Sequence, residues 1–233
     1  MTSDLLRAAG ILKESERSSM PHVVLLGDSI FDNGSYTRGE PDVVTHLTSL
    51  LPASWRATLR AVDGATTSDL AAQLRRVPAD SSHLVVSIGG NDALQNADLL
   101  SMRVTSSAEA LRLFAERVGQ FEQSYRHAIR TVLDTGLKTC VCTIYNGALE
   151  PERATAARLG LALFNDAILR TAIELRLDVI ELRSVCTAPE DYANPIEPSG
   201  RGGRNIALAI ASALGAIDSP PPSRVWAGSP RKP

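Results

Sequence analysis

The sequence is poor in cysteine and has no long apolar run. Its three cysteines, Cys140, Cys142 and Cys186, are too few for a disulfide framework and fit a reducing compartment. Cys140 and Cys142 alternate with Val141 on a predicted strand. We expect both thiols to pack in a core rather than bind a metal, because a free cysteine behaves as a small hydrophobic residue. No apolar run approaches the ~20 residues of a membrane span, which argues against a membrane partner.

The chain also lacks an excess of charge and a leader-like segment. Its formal net charge of −2 at pH 7 gives no reason to expect a nucleic-acid partner. Residues 1–20 mix charged side chains with short apolar pieces and contain no apolar h-region of a secretory signal. We therefore expect a cytoplasmic protein, and the sequence leaves its oligomeric state open.

No internal repeat and no shift in composition divides the 233 residues into two domains. We predict an N-terminal arm or short helix over residues 1–20 and one folded domain over residues 21–215. Residues 216–233 are rich in proline and have few large apolar groups, which indicates an irregular tail.

Five short apolar runs alternate with helical patterns, and this alternation predicts an α/β fold with a parallel sheet covered by helices on both faces. The predicted strands are His22–Leu26, Thr58–Val62, His83–Ile88, Thr139–Ile144 and Asp178–Leu182. The predicted helices lie near Glu40–Leu51, Thr67–Val77, Ala108–Thr135, Glu152–Leu177 and Gly203–Leu214.

Short polar motifs follow the carboxyl ends of the predicted strands, where open α/β sheets bind their ligands. They are Gly27-Asp28-Ser29 after the first strand, Asp63-Gly64-Ala65-Thr66 after the second and Gly89-Gly90-Asn91-Asp92 after the third. A serine, a glycine amide and an asparagine side chain thus converge from three strands. Acyl transfer needs this set, because a nucleophile must work beside donors that stabilise the developing oxyanion.

Each motif alone is weak, but together they resemble the SGNH/GDSL hydrolases, a family of esterases, lipases and acylhydrolases. The resemblance covers about residues 21–215 and implies a flavodoxin-like, three-layer α/β/α sandwich with strand order 2-1-3-4-5. It implies that Ser29 is the nucleophile. The backbone amides of Ser29 and Gly64 and the side chain of Asn91 would form the oxyanion hole. The family pattern uses no metal, and we expect neither a metal nor a cofactor in this chain.

One part of the family pattern is missing, because no histidine stands where the general base is expected. The family usually ends with Asp-x-x-His-Pro, in which the histidine is the base and the aspartate orients it. Asn194 stands in the place of the aspartate and Glu197 in the place of the histidine. The four histidines begin strands at the opposite end of the sheet or lie within helices, and we interpret them as structural or surface residues: His22, His46, His83 and His127.

The two exchanged residues favour a Ser29–Glu197 dyad positioned by Asn194. A carboxylate base has no N–H to offer an aspartate, whereas an asparagine amide can donate to that carboxylate. The reference pKa of glutamic acid lies about two units below that of histidine, so accepting the serine proton costs roughly 3 kcal/mol more. Burial would raise the pKa of Glu197 and so recover part of this free-energy cost. The alternative is that Glu197 caps the last helix or pairs with Arg201 or Arg204.

We predict a serine-dependent hydrolase that cleaves acyl esters through an acyl-enzyme. Two alternatives stay open: an acyltransferase that uses the same serine, and a non-catalytic small-molecule binding protein with a hydrolase fold. The chain lacks the helical insertions that would suggest a bulky lipid, which favours a small soluble ester as substrate. Candidates for the wall or mouth of the acyl pocket are Tyr145, Asn146, Asp191 and Tyr192.

Overall fold

Five parallel strands form the centre of the molecule, which a computed structural model describes over residues 20–225. Their order across the sheet is β2-β1-β3-β4-β5, as predicted. Because all five run in the same direction, their carboxyl ends meet at one edge of the sheet. The strands are β1 (His22–Gly27), β2 (Arg56–Leu59), β3 (His83–Ser87), β4 (Lys138–Cys142) and β5 (Asp178–Ile180).

Helices cover both faces of this sheet and complete the predicted α/β/α sandwich. Short 3₁₀ turns lie between them at Thr67–Asp69, Ala97–Ser101 and Pro189–Asp191. Within the described range the helices are α1 (Val43–Leu50), α2 (Leu70–Leu74), α3 (Gly90–Leu94), α4 (Ser107–Leu133), α5 (Pro151–Leu175), α6 (Leu182–Val185) and α7 (Gly200–Ala213).

The residues of β1 are shared between two hydrophobic cores, because successive side chains of a strand point to opposite faces. Val23 and Leu25 pack with residues of α1 and α7. Val24 and Leu26 pack with residues of α2, α4 and α5. All four side chains are fully buried, so the turn that follows β1 starts from a strand enclosed on both faces.

The second strand differs from the prediction, since β2 ends at Leu59 rather than at Val62. The amides of Arg60 and Ala61 both donate to the carbonyl oxygen of Leu25, at 2.8 and 2.9 Å. Arg60 and Ala61 therefore both lie opposite Leu25 of β1, and the ladder of hydrogen bonds is interrupted as in a β-bulge. The chain still follows β1, because the amide of Val62 donates to the carbonyl oxygen of Gly27 at 3.0 Å.

The three cysteines confirm the prediction of core packing. Cys140, Cys142 and Cys186 are free thiols, and all three are buried in the core on the α1–α7 side of the sheet. Burial raises the pKa of the Cys140 thiol and of the Cys186 thiol to about 12. These thiols are therefore protonated packing groups in the folded protein.

Residues 20–225 contain no helix that is both long and apolar enough to cross a membrane. The predicted N-terminal arm lies outside the described residues apart from Met20, and so do residues 226–233 of the predicted tail. Residues 216–225 of that tail form neither helix nor strand.

Candidate active site

The turn after β1 places Ser29 at the carboxyl edge of the sheet. Gly27 ends the strand with φ +132°, and a Cβ atom there would lie 1.7 Å from the carbonyl oxygen of Ser87 on β3. Only glycine allows this close approach of two backbones. The amide of Asp28 then donates to the same carbonyl at 3.1 Å, which turns the chain and leaves Ser29 8% exposed.

A buried glutamine fixes the end of β1. Gln73 of α2 accepts a hydrogen bond from the amide of Gly27 at 2.8 Å and donates its Nε2 to the carbonyl oxygen of Gly27 at 2.7 Å. The side chain is 3% exposed, so both backbone groups of Gly27 are satisfied without water. The base of the serine turn is therefore tied to α2 as well as to β3.

The loops after β2 and β3 are joined by side chains that the sequence singled out. Asn91, near the start of α3, donates its Nδ2 to the carbonyl oxygen of Ala65 at 2.9 Å. The carboxyl group of Asp92 accepts from the Thr67 amide at 3.1 Å and from the Thr67 hydroxyl at 2.7 Å. These bonds hold the Gly64 turn beside the start of α3.

Two backbone amides at this edge are free to bind an oxyanion. Gly64 has φ +78° and is exposed. Among residues 20–225, the amide N–H groups of Ser29 and Gly64 have no hydrogen-bond partner. Asn91 uses one N–H for the bond to Ala65, so its second N–H is also available.

Glu197 reaches the site on a loop that is joined to the end of β4. The buried phenol of Tyr145 donates to the carbonyl oxygen of Ile196 at 2.6 Å, and the amide of Ala148 donates to the carbonyl oxygen of Pro195 at 2.9 Å. Gly147 packs so closely against this loop that a Cβ atom there would lie 2.6 Å from the carbonyl oxygen of Pro195. The loop therefore carries Glu197 to the same edge as Ser29.

Asn194 positions Glu197 differently from the sequence-based expectation. Its Oδ1 accepts hydrogen bonds from the amides of Ile196 and Glu197, both at 2.9 Å. The expected bond from the Asn194 amide group to the Glu197 carboxylate is not formed within the described part of the chain. The side chain of Asn194 is short and exposed, so it bonds its own backbone in a turn and orients Glu197 through the main chain.

The carboxyl group of Glu197 is buried without a cationic partner. It is 7% exposed, and its Oε2 has no hydrogen-bond partner among residues 20–225. Burial raises the pKa of Glu197, while the nearby Ser29 hydroxyl lowers it by a smaller amount. No hydrogen bond of standard geometry joins these two side chains within the described range, so they lie near each other without being fixed by such a bond.

The alternative roles for Glu197 are occupied by other residues. Ser199 caps α7, since its hydroxyl accepts from the amide of Gly202 at 3.1 Å. Arg201 pairs with the buried carboxylate of Asp191 at 3.4 Å, and Glu197 forms no ion pair in the described part of the chain. Neither the helix cap nor an arginine partner therefore accounts for Glu197.

A second carboxyl group lies beside the serine. Asp28 is 1% exposed; its Oδ1 accepts from the amide of Ile30 at 3.1 Å, and its Oδ2 has no hydrogen-bond partner among residues 20–225. Burial raises the pKa of Asp28 to about 7, and the charges of Glu197 and Asp92 add to this effect. Asp28 was not among the predicted site residues, although its position next to Ser29 in the chain was visible.

No histidine supplies an alternative base. His22 is buried at the amino end of β1, where Nδ1 lies 3.0 Å from Asp80 Oδ1 and Nε2 lies 2.8 Å from Thr58 Oγ1. None of the four histidines lines the cavity beside Ser29. The interpretation of these histidines as structural or surface residues agrees with their positions.

An apolar cavity of about 150 Å³ opens beside Ser29 and Glu197. Tyr145 and Asn146 line it, as expected, whereas Asp191 and Tyr192 do not. Its apolar lining includes residues of α4, α5 and the 97–101 turn that the sequence did not connect with the site. The glycine in the middle of α5 is the one signal of this contact that the sequence carries. The lining residues of these segments are Leu100, Phe114, Gly160, Leu161 and Phe164.

Comparison with known proteins identifies the family of this chain. A model of the GDSL-like lipase/acylhydrolase family matches residues 25–203, and the chain therefore belongs to that family. A comparison with curated proteins found no match.

Solved structures share the fold at low sequence identity. An extracellular lipase from Streptomyces rimosus is 18% identical with a TM-score of 0.62, over 83% of this chain and 99% of that one. A phospholipase A1 from Streptomyces albidoflavus is 17% identical with a TM-score of 0.63, over 84% and 100%. A catalytic serine-to-alanine mutant of an acetylxylan esterase from Geobacillus stearothermophilus is 18% identical with a TM-score of 0.61, over 84% and 95%.

Proposed function

We propose that this chain is a serine esterase that hydrolyses the carboxylic ester of a small soluble substrate through an acyl-enzyme. The observation that carries the proposal is the convergence of Ser29 with its unpaired amide, Asn91 and Glu197 at one end of an apolar cavity. Asn91 bonds the loop that holds the unpaired amide of Gly64. A binding protein would not need a hydroxyl, a buried unpaired carboxyl group and free oxyanion donors at one point.

In the proposed mechanism, Ser29 Oγ attacks the ester carbonyl carbon while its proton passes to the carboxylate of Glu197. The amides of Ser29 and Gly64 and the free N–H of Asn91 stabilise the oxyanion. When the tetrahedral intermediate collapses, the leaving alcohol takes the proton from Glu197. Water then repeats the sequence on the acyl-enzyme, with Glu197 as base again, and releases the acid.

Glutamate is a weaker base than histidine, and its environment offsets part of the difference. The deficit is roughly 3 kcal/mol from the reference pKa values. Burial raises the pKa of Glu197 and so brings the carboxylate closer to the basicity that the reaction needs. Asn194 and Tyr145 support the loop that presents this carboxylate.

The test is turnover of p-nitrophenyl acetate and butyrate together with labelling by a fluorophosphonate probe. We expect Ser29→Ala to lower kcat by at least about a thousandfold and to abolish labelling. The matched control is Ser35→Ala, because Ser35 is exposed in the same loop, and we expect it to keep wild-type turnover.

Other outcomes of this test would overturn the proposal. An unlabelled Ser29 and no turnover would favour a binding protein. Turnover that requires an added alcohol or amine would favour an acyltransferase.

The cytoplasmic location is likewise a proposal, which the three free, buried cysteines support.

A further inference from the structure

We propose that the cavity beside Ser29 is an acyl-chain site that selects an uncharged acyl group of about six carbons, with Gly160 limiting its length. The inference rests on the proposed function, because it names the acyl half of the substrate cleaved at Ser29. It adds a preference for a medium-length chain over acetyl and over long fatty acyl groups.

The distribution of polar groups in the cavity indicates which half of the ester enters it. The segments that follow the strands contribute Ser29, Asn91, Asn146 and Glu197, and Asn96 precedes the 97–101 turn. That turn, α4 and α5 contribute apolar side chains. Apart from Asp28 and Glu197, no charged side chain among residues 20–225 lines the cavity. An acyl group with its own charge would therefore be buried without a partner, and an alkyl chain would not.

The size of the cavity indicates the length of the chain. A dry cavity of about 150 Å³ lined by leucine, isoleucine and phenylalanine holds a molecule of about six carbon atoms, such as benzene. The cavity of this protein has about the same volume, and apart from its polar residues it is likewise lined by leucine, isoleucine and phenylalanine. An acetyl group would leave most of it empty, and a dodecanoyl chain would exceed it.

Gly160 marks the place where the cavity can be shortened. A Cβ atom on Gly160 would lie 3.2 Å from Phe114 Cε1 and 3.9 Å from Leu100 Cδ2, and all three residues line the cavity. A side chain at this position therefore takes its volume from the cavity. Leu100, in contrast, is 46% exposed, so its removal would open the same wall to solvent.

The experiment compares p-nitrophenyl acetate, hexanoate and dodecanoate as substrates of the wild type, Gly160→Leu and Leu100→Ala. Each buried methylene is worth a factor of roughly three to four, so we expect the wild type to prefer hexanoate over acetate in kcat/KM by at least about tenfold. We expect Gly160→Leu to lower that ratio by about tenfold and Leu100→Ala to raise the dodecanoate-to-hexanoate ratio by about tenfold.

The matched control is Gly119→Leu, which also replaces a glycine inside a long helix. A Cβ atom at Gly119 meets nothing within 4 Å, and Gly119 does not line the cavity, so the substrate ratios should equal those of the wild type. A wild type that prefers acetate, with Ser29→Ala inactive, would overturn the acyl-chain site and leave the esterase proposal standing. Equal changes in the substrate ratios of Gly160→Leu and Gly119→Leu would also overturn the acyl-chain site.

A binding measurement separates this inference from failure of the chemistry. In the Ser29→Ala variant, hexanamide should raise the melting temperature while acetamide at the same concentration does not, because only the longer neutral chain fills the cavity. Gly160→Leu in the same background should remove the shift, and Leu100→Ala or Gly119→Leu should not reduce it by more than half. Equal shifts with both amides, or none, would contradict the inference even if no ester is turned over.

Discussion

Glu197 is the residue that distinguishes this site from a Ser-His-Asp site. A histidine base accepts a proton at one nitrogen and donates from the other, so an aspartate can hold it. A glutamate base has no proton to donate, and the described structure gives it no side-chain donor other than the serine hydroxyl nearby. In the proposed dyad, burial and a supported backbone take the place of the third member of the triad.

The first prediction concerns the pH dependence that follows from this base. In the proposed mechanism Glu197 must be ionised to accept the serine proton, and burial raises its pKa above the ordinary 4.5. We expect kcat/KM for p-nitrophenyl butyrate to rise with pH through an acid limb that lies above 4.5 and then to level off. Glu197→Gln should lower kcat by about a hundredfold or more and remove the limb.

Glu190→Gln is the control for that prediction, since Glu190 is exposed in a neighbouring part of the same loop. It should leave both the rate and the pH profile unchanged. Glu197→His should raise ester turnover above that of Glu197→Gln, because imidazole is the stronger base. If Glu197→Gln retains the wild-type profile, Glu197 is not the base.

The second prediction concerns Asp28 and stability. The pKa of Asp28 is about 7 in the folded protein and 3.8 ordinarily, so between these values the folded state holds a proton that the unfolded chain has lost. The contribution of Asp28 to the free energy of unfolding is therefore largest below pH 4 and decreases as the pH rises to about 7. Above that pH it does not change further. Over pH 5 to 8 Asp28 accounts for a decrease of about 2 to 3 kcal/mol.

Asp28→Asn tests this, because asparagine has nearly the same shape and does not titrate. Its free energy of unfolding, from urea denaturation at pH 5 and pH 8, should fall less over this range than that of the wild type. Asp92 and Glu197 also have raised pKa values, so the difference between variant and wild type is the quantity to compare. Parallel curves would contradict the assigned pKa.

At the scale of elements, buried amide side chains tie the ends of two strands to helices. Gln73 of α2 bonds both backbone groups of Gly27, and Asn165 of α5 bonds the amide and carbonyl of Ile144 at 2.7 and 2.8 Å. One pair fixes the serine turn after β1, and the other fixes the loop after β4 that supports Glu197. The helices therefore align the two halves of the site as well as covering the sheet.

The third prediction follows from these contacts. Gln73→Leu keeps the size of the side chain but leaves the buried N–H of Gly27 without a partner, and its C=O keeps only the bond from the Val62 amide. We expect a loss of about 3 kcal/mol in the free energy of unfolding and a fall in kcat, because the serine turn loses its support. Gln123→Leu, at an exposed position of α4, should change stability by less than about 0.5 kcal/mol. Similar losses in both variants would rule out a special role for Gln73.

At the scale of the whole molecule, the cysteines report whether the sheet and its helices unfold together. Cys140 and Cys142 lie on β4, Cys186 follows α6, and burial raises the pKa values of all three thiols. The fourth prediction is that Ellman's reagent at pH 8 labels none of them in the native protein and all three in urea. Labelling and loss of far-UV circular dichroism should coincide in urea concentration. Rapid labelling of one thiol in the native state would contradict the burial described.

The sequence by itself predicted the features that depend on local chemistry. Gly27-Asp28-Ser29 is a strand end, a tight turn and a serine in one short stretch, and the alternation of apolar runs predicted the sheet and its helices. The family resemblance supplied the strand order and the replacement of histidine by Glu197. The apolar runs placed β2 least accurately, because that strand ends at a bulge, which depends on two amides that bond one carbonyl of β1.

Only the tertiary structure decided how the site is assembled, because its contacts join residues that are distant in the chain. Tyr145 bonds a residue 51 positions away, and Gln73 bonds one 46 positions away. Asn194 accepts hydrogen bonds from nearby backbone amides instead of donating to the Glu197 carboxylate. Composition and spacing do not distinguish these two possibilities. The cavity likewise arises where α4, α5 and the 97–101 turn meet beside Ser29, and its volume depends on how those separate segments pack.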